Sequence, residues 1–185
     1  MTVRSWLLFL ALLPISHLHA QDTVPRVENR VLRLNLLITP KIEGEFAISQ
    51  AATFGVRLGT ELFAYDAWIL DYYYVLLPSV DVYYRYYYNL DRRTERGKRI
   101  YRNSGNYLGL TALYANGNPI WSERPDADSN IDNLVMAGPV YGLQRTYGKG
   151  FFFNLEFGVG YGYADNGSSE IIPLASARLG WAFGL

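Results

Sequence analysis

The chain predicts an all-β fold, an eight-stranded antiparallel up-and-down transmembrane β-barrel, on three observations. Apolar and polar residues alternate with period two along eight separate segments, the mark of strands with one apolar face. The opposite face is rich in glycine and carries charges of both signs, which suits a narrow closed interior better than a surface in water. Tyrosine and tryptophan gather toward strand ends, at Tyr84–Tyr88, Tyr161–Tyr163 and Trp181, where amphipathic rings would form girdles at a membrane–water boundary.

The first element is an export signal. Arg4 supplies a positive start, Trp6 to Leu13 an apolar run and Pro14 a break, before a polar stretch ending at Ala20. The apolar run is shorter than the roughly 20 residues a spanning helix needs. Residues 1–20 are therefore expected to be a cleaved signal peptide and 21–185 the barrel. The two histidines, His17 and His19, fall inside the signal, and there is no cysteine. The mature chain is thus expected to lack both imidazole and thiol.

The strands follow in order. Leu32, Leu34, Leu36 and Ile38 alternate with Arg33, Asn35, Leu37 and Thr39. Ile42, Phe46 and Ile48 alternate with Glu43, Glu45, Ala47 and Ser49. Phe54, Val56, Leu58 and Leu62 oppose Gly55, Arg57, Gly59 and Glu61, and Val80 to Tyr88 opposes Ser79 to Tyr87 in the same way. A fifth strand runs through Leu108 to Tyr114. The sixth, around Val135 to Leu143, is the least regular because Pro139 lacks a ladder donor. The clearest pattern is Phe151, Phe153, Leu155, Phe157, Val159, Tyr161 and Tyr163 against Asn154, Glu156, Gly158, Gly160 and Gly162. The last strand sets Ala175 to Leu185 against Ser176, Arg178 and Gly180.

Connections follow from the threading. Tyr147 to Gly150 reads as a tight hairpin, and Thr39-Pro40-Lys41 as a short connection on the outer side. Longer outer loops are expected at Ala64 to Tyr72, Asn116 to Asn130 and Ala164 to Glu170, with Trp68 and Trp121 as candidate loop contacts. The link Asn89 to Asn106 falls on the periplasmic side. Its basic run reads as a solvated turn near anionic headgroups, and the balance of 17 basic against 17 acidic residues gives no reason to invoke nucleic acid.

Inside the barrel the pattern places Arg33, Glu45, Arg57, Glu61, Asp81, Arg85, Glu156 and Arg178. In a lumen of this width such charges are expected to pair and fill the space, giving a plugged interior rather than a conducting pore.

The stretch GPVYGLQRTYGKGFFFNLEFGVGYGY followed by ASARLGWAFGL resembles the closing strands of small Gram-negative outer-membrane barrels of the OmpA/OmpX/OmpW type. The resemblance covers the mature chain as a pattern, with motifs generic to the architecture. It implies assembly by the barrel-assembly machinery, which reads an aromatic-bearing last strand. Trp181 and Phe183 supply the aromatics, while Leu185 stands where many members end in phenylalanine. It also implies residence among outer-membrane lipid and lipopolysaccharide.

Enzymes of this architecture centre their chemistry on a histidine, so the expected function is non-enzymatic, with no cofactor and no metal site. Asp126, Asp128, Asn130 and Asp132 alternate but lack the glycine and glutamate of an EF-hand loop. The expected role is structural or surface-interacting. The alternatives are a porin-like conduit or binder for a small apolar ligand, with Trp68, Ile69 and Leu70 at its mouth, and a secreted soluble lipocalin-like binding barrel.

Overall fold

Alternation becomes structure as nine antiparallel strands and one short helix: β1 (Arg30–Asn35), β2 (Lys41–Ala47), β3 (Ala52–Trp68), β4 (Asp71–Tyr86), α1 (Leu90–Glu95), β5 (Asn106–Ala115), β6 (Trp121–Ser122), β7 (Leu134–Tyr147), β8 (Phe151–Ala164) and β9 (Ser169–Gly184). The structure is a computed structural model that describes residues 26–36, 39–68, 71–123 and 131–185, with 65–68 and 71–72 described by backbone alone. The expected signal segment, Ile69, Leu70, Asp126, Asp128 and Asn130 lie outside the described residues.

The strands form one antiparallel sheet that closes in a ring. Eight pair with their chain neighbours around it, and β1 closes it against β9 with Val31 opposite Gly184 and Asn35 opposite Gly180. The ninth strand, β6, is a two-residue piece beside β4, with Leu76 opposite Trp121 and Val75 opposite Ser122. It runs on beside β4 past the end of β5. The first strand's start and the chain's end therefore share one rim, called here the terminal rim.

Side chains sort across the wall as the period demands. Leu58 (54 % exposed), Leu110 (59 %) and Phe157 (54 %) point outward, while Arg57 and Glu156, next to Leu58 and Phe157 in sequence, are buried inside. Inner-face glycines make room for rings: a Cβ on Gly55 would lie 2.2 Å from the Tyr83 ring, and one on Gly142 2.1 Å from the Tyr107 ring. Pro139 sits in β7 where expected, and the β7–β8 ladder skips Gly138 and Pro139 before resuming at Val140 opposite Gly158. The Tyr147–Gly150 hairpin is also as expected, closed by the Gly150 amide donating to the Tyr147 carbonyl at 3.0 Å, with Gly148 at φ 50°.

One expected outer loop is mostly strand and another is a tight turn. Ala64 to Trp68 and Asp71 to Tyr72 are strand, paired from Ala64 opposite Tyr74 to Trp68 opposite Asp71. Trp68 is thus a strand-end residue rather than a loop residue. The seventh and eighth long strands stay paired up to Tyr163 opposite Ser169, leaving a turn in place of a long loop. The described part of Asn116 to Asn130 folds back on β4, with the Ile120 amide donating to the Leu76 carbonyl at 2.8 Å. In the first of these, Tyr72 to Leu77 is aromatic or apolar on both faces, which erases the period that would have revealed it as strand.

β1 and β2 are shorter than their neighbours. β3 beyond Thr60 has no partner on the β2 side, and β9 before Leu179 has none on the β1 side, among the described residues.

Candidate functional site

The ring holds three layers, and the sequence displays one of them plainly. Toward the terminal rim and through the middle lies an ion network. All eight residues expected inside do project inward, and Lys41 and Glu43 join them. Five cations (Arg33, Lys41, Arg57, Arg85, Arg178) meet five carboxylates (Glu43, Glu45, Glu61, Asp81, Glu156), so the network is neutral.

Two carboxylates act as hubs. Glu43 Oε1 accepts from Arg33 Nη1 at 2.8 Å, Arg85 Nη1 at 3.1 Å and the Tyr83 hydroxyl at 2.6 Å. Glu156 accepts from Arg85 Nη2 at 2.8 Å, the Tyr107 hydroxyl at 2.7 Å and Arg57 Nη1 at 3.3 Å, and Arg178 Nη2 lies 2.6 Å away. Arg85 is sandwiched between two rings, 4.0 Å from the Tyr83 centroid and 4.6 Å from that of Tyr107. Glu45 pairs with Arg33 at 2.5 Å and accepts from Thr53 and Tyr87 at 2.6 and 2.9 Å. Burying charge at this density is tolerable only because nearly every group is paired and hydrogen-bonded.

Lys41 corrects the expected short outer connection. It opens β2, and its ammonium is buried against Glu61 and, at 2.7 Å, Asp81. Glu43 stood on the same face two residues before Glu45, so its signal was present in the alternation. The tyrosines were harder to place. Nothing local to the run Tyr83 to Tyr88 says that Tyr83 and Tyr87 donate to carboxylates on β2.

The second layer closes the terminal rim: the basic run Asp91 to Arg99 is mostly exposed, while the remainder of the link Asn89 to Asn106 turns inward. α1 anchors Leu90 against Val27, Tyr87 and Tyr107, with Ile100 packed alongside. Burial, and after it the nearby Arg145 guanidinium, lowers Arg93 below the ordinary arginine value; Arg93 donates to the Arg99 carbonyl at 2.7 Å. The chain then turns inward through Arg102 and Asn103, both with positive φ (48° and 60°). The Arg102 carbonyl accepts from Arg33 at 3.2 Å and Gln144 at 3.1 Å, and its guanidinium donates to the Lys149 and Ala182 carbonyls. Asn103 is fully buried and accepts from the Glu28 amide at 2.7 Å. This segment covers the rim as a lid.

The third layer, toward the opposite rim, is apolar: Tyr73, Val75, Leu77, Leu113, Ala115 and Met136, with Phe63, Ile172 and Leu174 packed against them. It borders a cavity of about 720 Å³ whose floor is Arg57, Asp81, Glu156 and Arg178. Ile171 to Leu174 is apolar on both faces, so no alternation marks Ile172 and Leu174 as lining an interior.

The remaining sequence-derived residues lie elsewhere. Trp121 is exposed on β6, away from the network. Trp181 and Phe183 point outward from the closing strand, with Trp181 edge-on to Phe151 at 5.8 Å, and the Leu185 amide donates to the Arg30 carbonyl at 3.1 Å. Asp132 accepts from Asn166 at 2.7 Å, and among the described residues no three metal-ligating side chains converge.

Comparison with protein-family models, with curated proteins and with solved structures finds no match.

Proposed function

We propose that the ring is an eight-stranded up-and-down β-barrel of a bacterial outer membrane, exported through a cleaved N-terminal signal, with a structural or surface-presenting role and an interior that does not conduct. The observation that carries this reading is the inversion of the wall. Its outward face bears Ile42, Phe54, Leu58, Leu110, Phe157 and Val159, all exposed, while ten charged groups lie within. In water this arrangement would expose a very large apolar surface and bury charge without need. In hydrocarbon it is the low-energy choice, because a closed sheet satisfies its backbone internally and lipid covers the apolar belt. Among the described residues no helix is long and apolar enough to cross a membrane, which leaves strands to do so on this reading.

Exposed tyrosines fit the girdle. Tyr88 donates to Tyr141 at 3.3 Å, and Asn106 donates to Tyr141 at 2.8 Å, near the terminal rim. The same rim carries Arg92, Arg96, Lys98 and Arg99, all exposed, a cationic face suited to phospholipid headgroups. Lipid and lipopolysaccharide are the proposed surroundings and the barrel-assembly machinery the proposed assembly partner, with Trp181 and Phe183 on the closing strand as its signal.

Non-conduction follows from the neutral network together with the Arg102–Asn103 lid. Refolded protein that migrates as a heat-modifiable band is expected to give no ohmic steps in a planar bilayer. Stable steps of the size of a water-filled pore would contradict the plugged interior.

A further inference from the structure

We infer that the cavity at the rim opposite the termini binds an amphiphile with a cationic head and an alkyl or aromatic body. The site stands on the cavity's own geometry and holds whether the ring sits in lipid or in water. Its volume, about 720 Å³, lies within the range of roughly 300–1,000 Å³ usual for small-molecule sites. Its wall is apolar on five strands: Phe63 on β3, Tyr73 on β4, Leu113 on β5, Met136 on β7, Ile172 and Leu174 on β9, with Gly162 and Ala164 lining it from β8. It is blind below, because Arg57 and Arg178 are tied to Glu156 and leave no path toward the lid.

Charge selects the head group. The two cations on the floor are locked: the Arg57 side chain is 2 % exposed and that of Arg178 5 %, and both face Glu156. The accessible charge is negative. Glu61 lines the cavity with its side chain 23 % exposed, against 5 % for Asp81 and 7 % for Glu156. Asp132 and Glu170 add carboxylates on the lining, and no further basic residue among the described ones offsets them there. Glu61 is already paired with Lys41, so Asp132 and Glu170 are the lining carboxylates that face no cation among the described residues; they repel an anion and attract a cation.

The test titrates the full mature chain, held in a non-ionic amphipol or in buffer if it proves soluble, with hexyltrimethylammonium, hexanoate and hexanol by calorimetry. Hexyltrimethylammonium is expected to bind about tenfold more tightly than hexanoate, the equivalent of one modest charge interaction. Asp132→Asn combined with Glu170→Gln should erase that preference and leave hexanol binding unchanged. Met136→Trp, or Leu174→Trp should the first fail to fold, should fill the cavity and abolish binding of all three. Hexanoate binding as well as the cation, absence of binding by all three, or undiminished binding in both filled variants would each overturn the inference. Solubility without amphipol would sink the membrane reading alone.

Discussion

Glu156→Ala is expected to be the most damaging single substitution in the interior. It leaves Arg57, Arg85 and Arg178 facing one another in a space from which water is largely excluded, with Tyr107 losing its acceptor. Removing one partner of a buried ion pair costs about 3–5 kcal/mol, because the surviving charge stays desolvated and uncompensated. Arg85 keeps Glu43 and Arg57 keeps Asp81 at 4.0 Å, while Arg178 loses its ion pair, so the loss falls within that range. Glu156→Gln keeps an acceptor oxygen and should lose less, whereas Glu170→Ala, exposed at the far rim, should stay within about 0.5 kcal/mol. Urea midpoints of the folded form compare the three. Equal midpoints for Glu156→Ala and Glu170→Ala would show that the network contributes nothing to the fold.

The second large effect belongs to the outer face. Leu110 projects outward midway along β5, opposite Tyr84 on one side and Pro139 on the other. On the membrane reading, Leu110→Arg places a guanidinium in hydrocarbon near the bilayer middle, at a cost of about 2–4 kcal/mol. The same change at Ile171, 76 % exposed and close to the far rim, should cost about 0–1 kcal/mol. Folding titrations in liposomes read the difference directly. A ring in water predicts the reverse ordering of concern: an exposed Leu110→Arg would be neutral within about 0.5 kcal/mol. The depth dependence is therefore diagnostic, and it is independent of the interior chemistry.

How much of this was legible in the sequence depends on locality. The run from Phe151 to Tyr163 announces itself, since one face is aromatic or aliphatic and the other carries Asn154, Glu156 and glycine. The charged positions Arg33, Arg57, Arg85 and Arg178 could be placed inside by period alone. Partnership was not legible: Glu156 gathers cations from β3, β4 and β9, and no spacing rule connects residues 71 or 99 apart. The lid was hidden for the same reason. Arg102 and Asn103 lie in a polar, basic link, and what draws them inward is a set of acceptors and donors on distant strands. Tyr73 to Leu77 and Ile171 to Leu174 were opaque for a different cause. A strand apolar on both faces loses the alternation that marks it, although here that doubling is what builds the cavity wall.

Electrophoretic mobility of the mature chain refolded in detergent, heated against unheated and paired with circular dichroism, tests the central claim most directly. A membrane-spanning barrel gives a faster band without heating, a β-rich spectrum, and collapse to a single slower band after boiling. A β-rich protein that stays soluble without detergent and migrates identically either way would contradict a membrane-spanning barrel, and would move the ring into the class of soluble binding barrels.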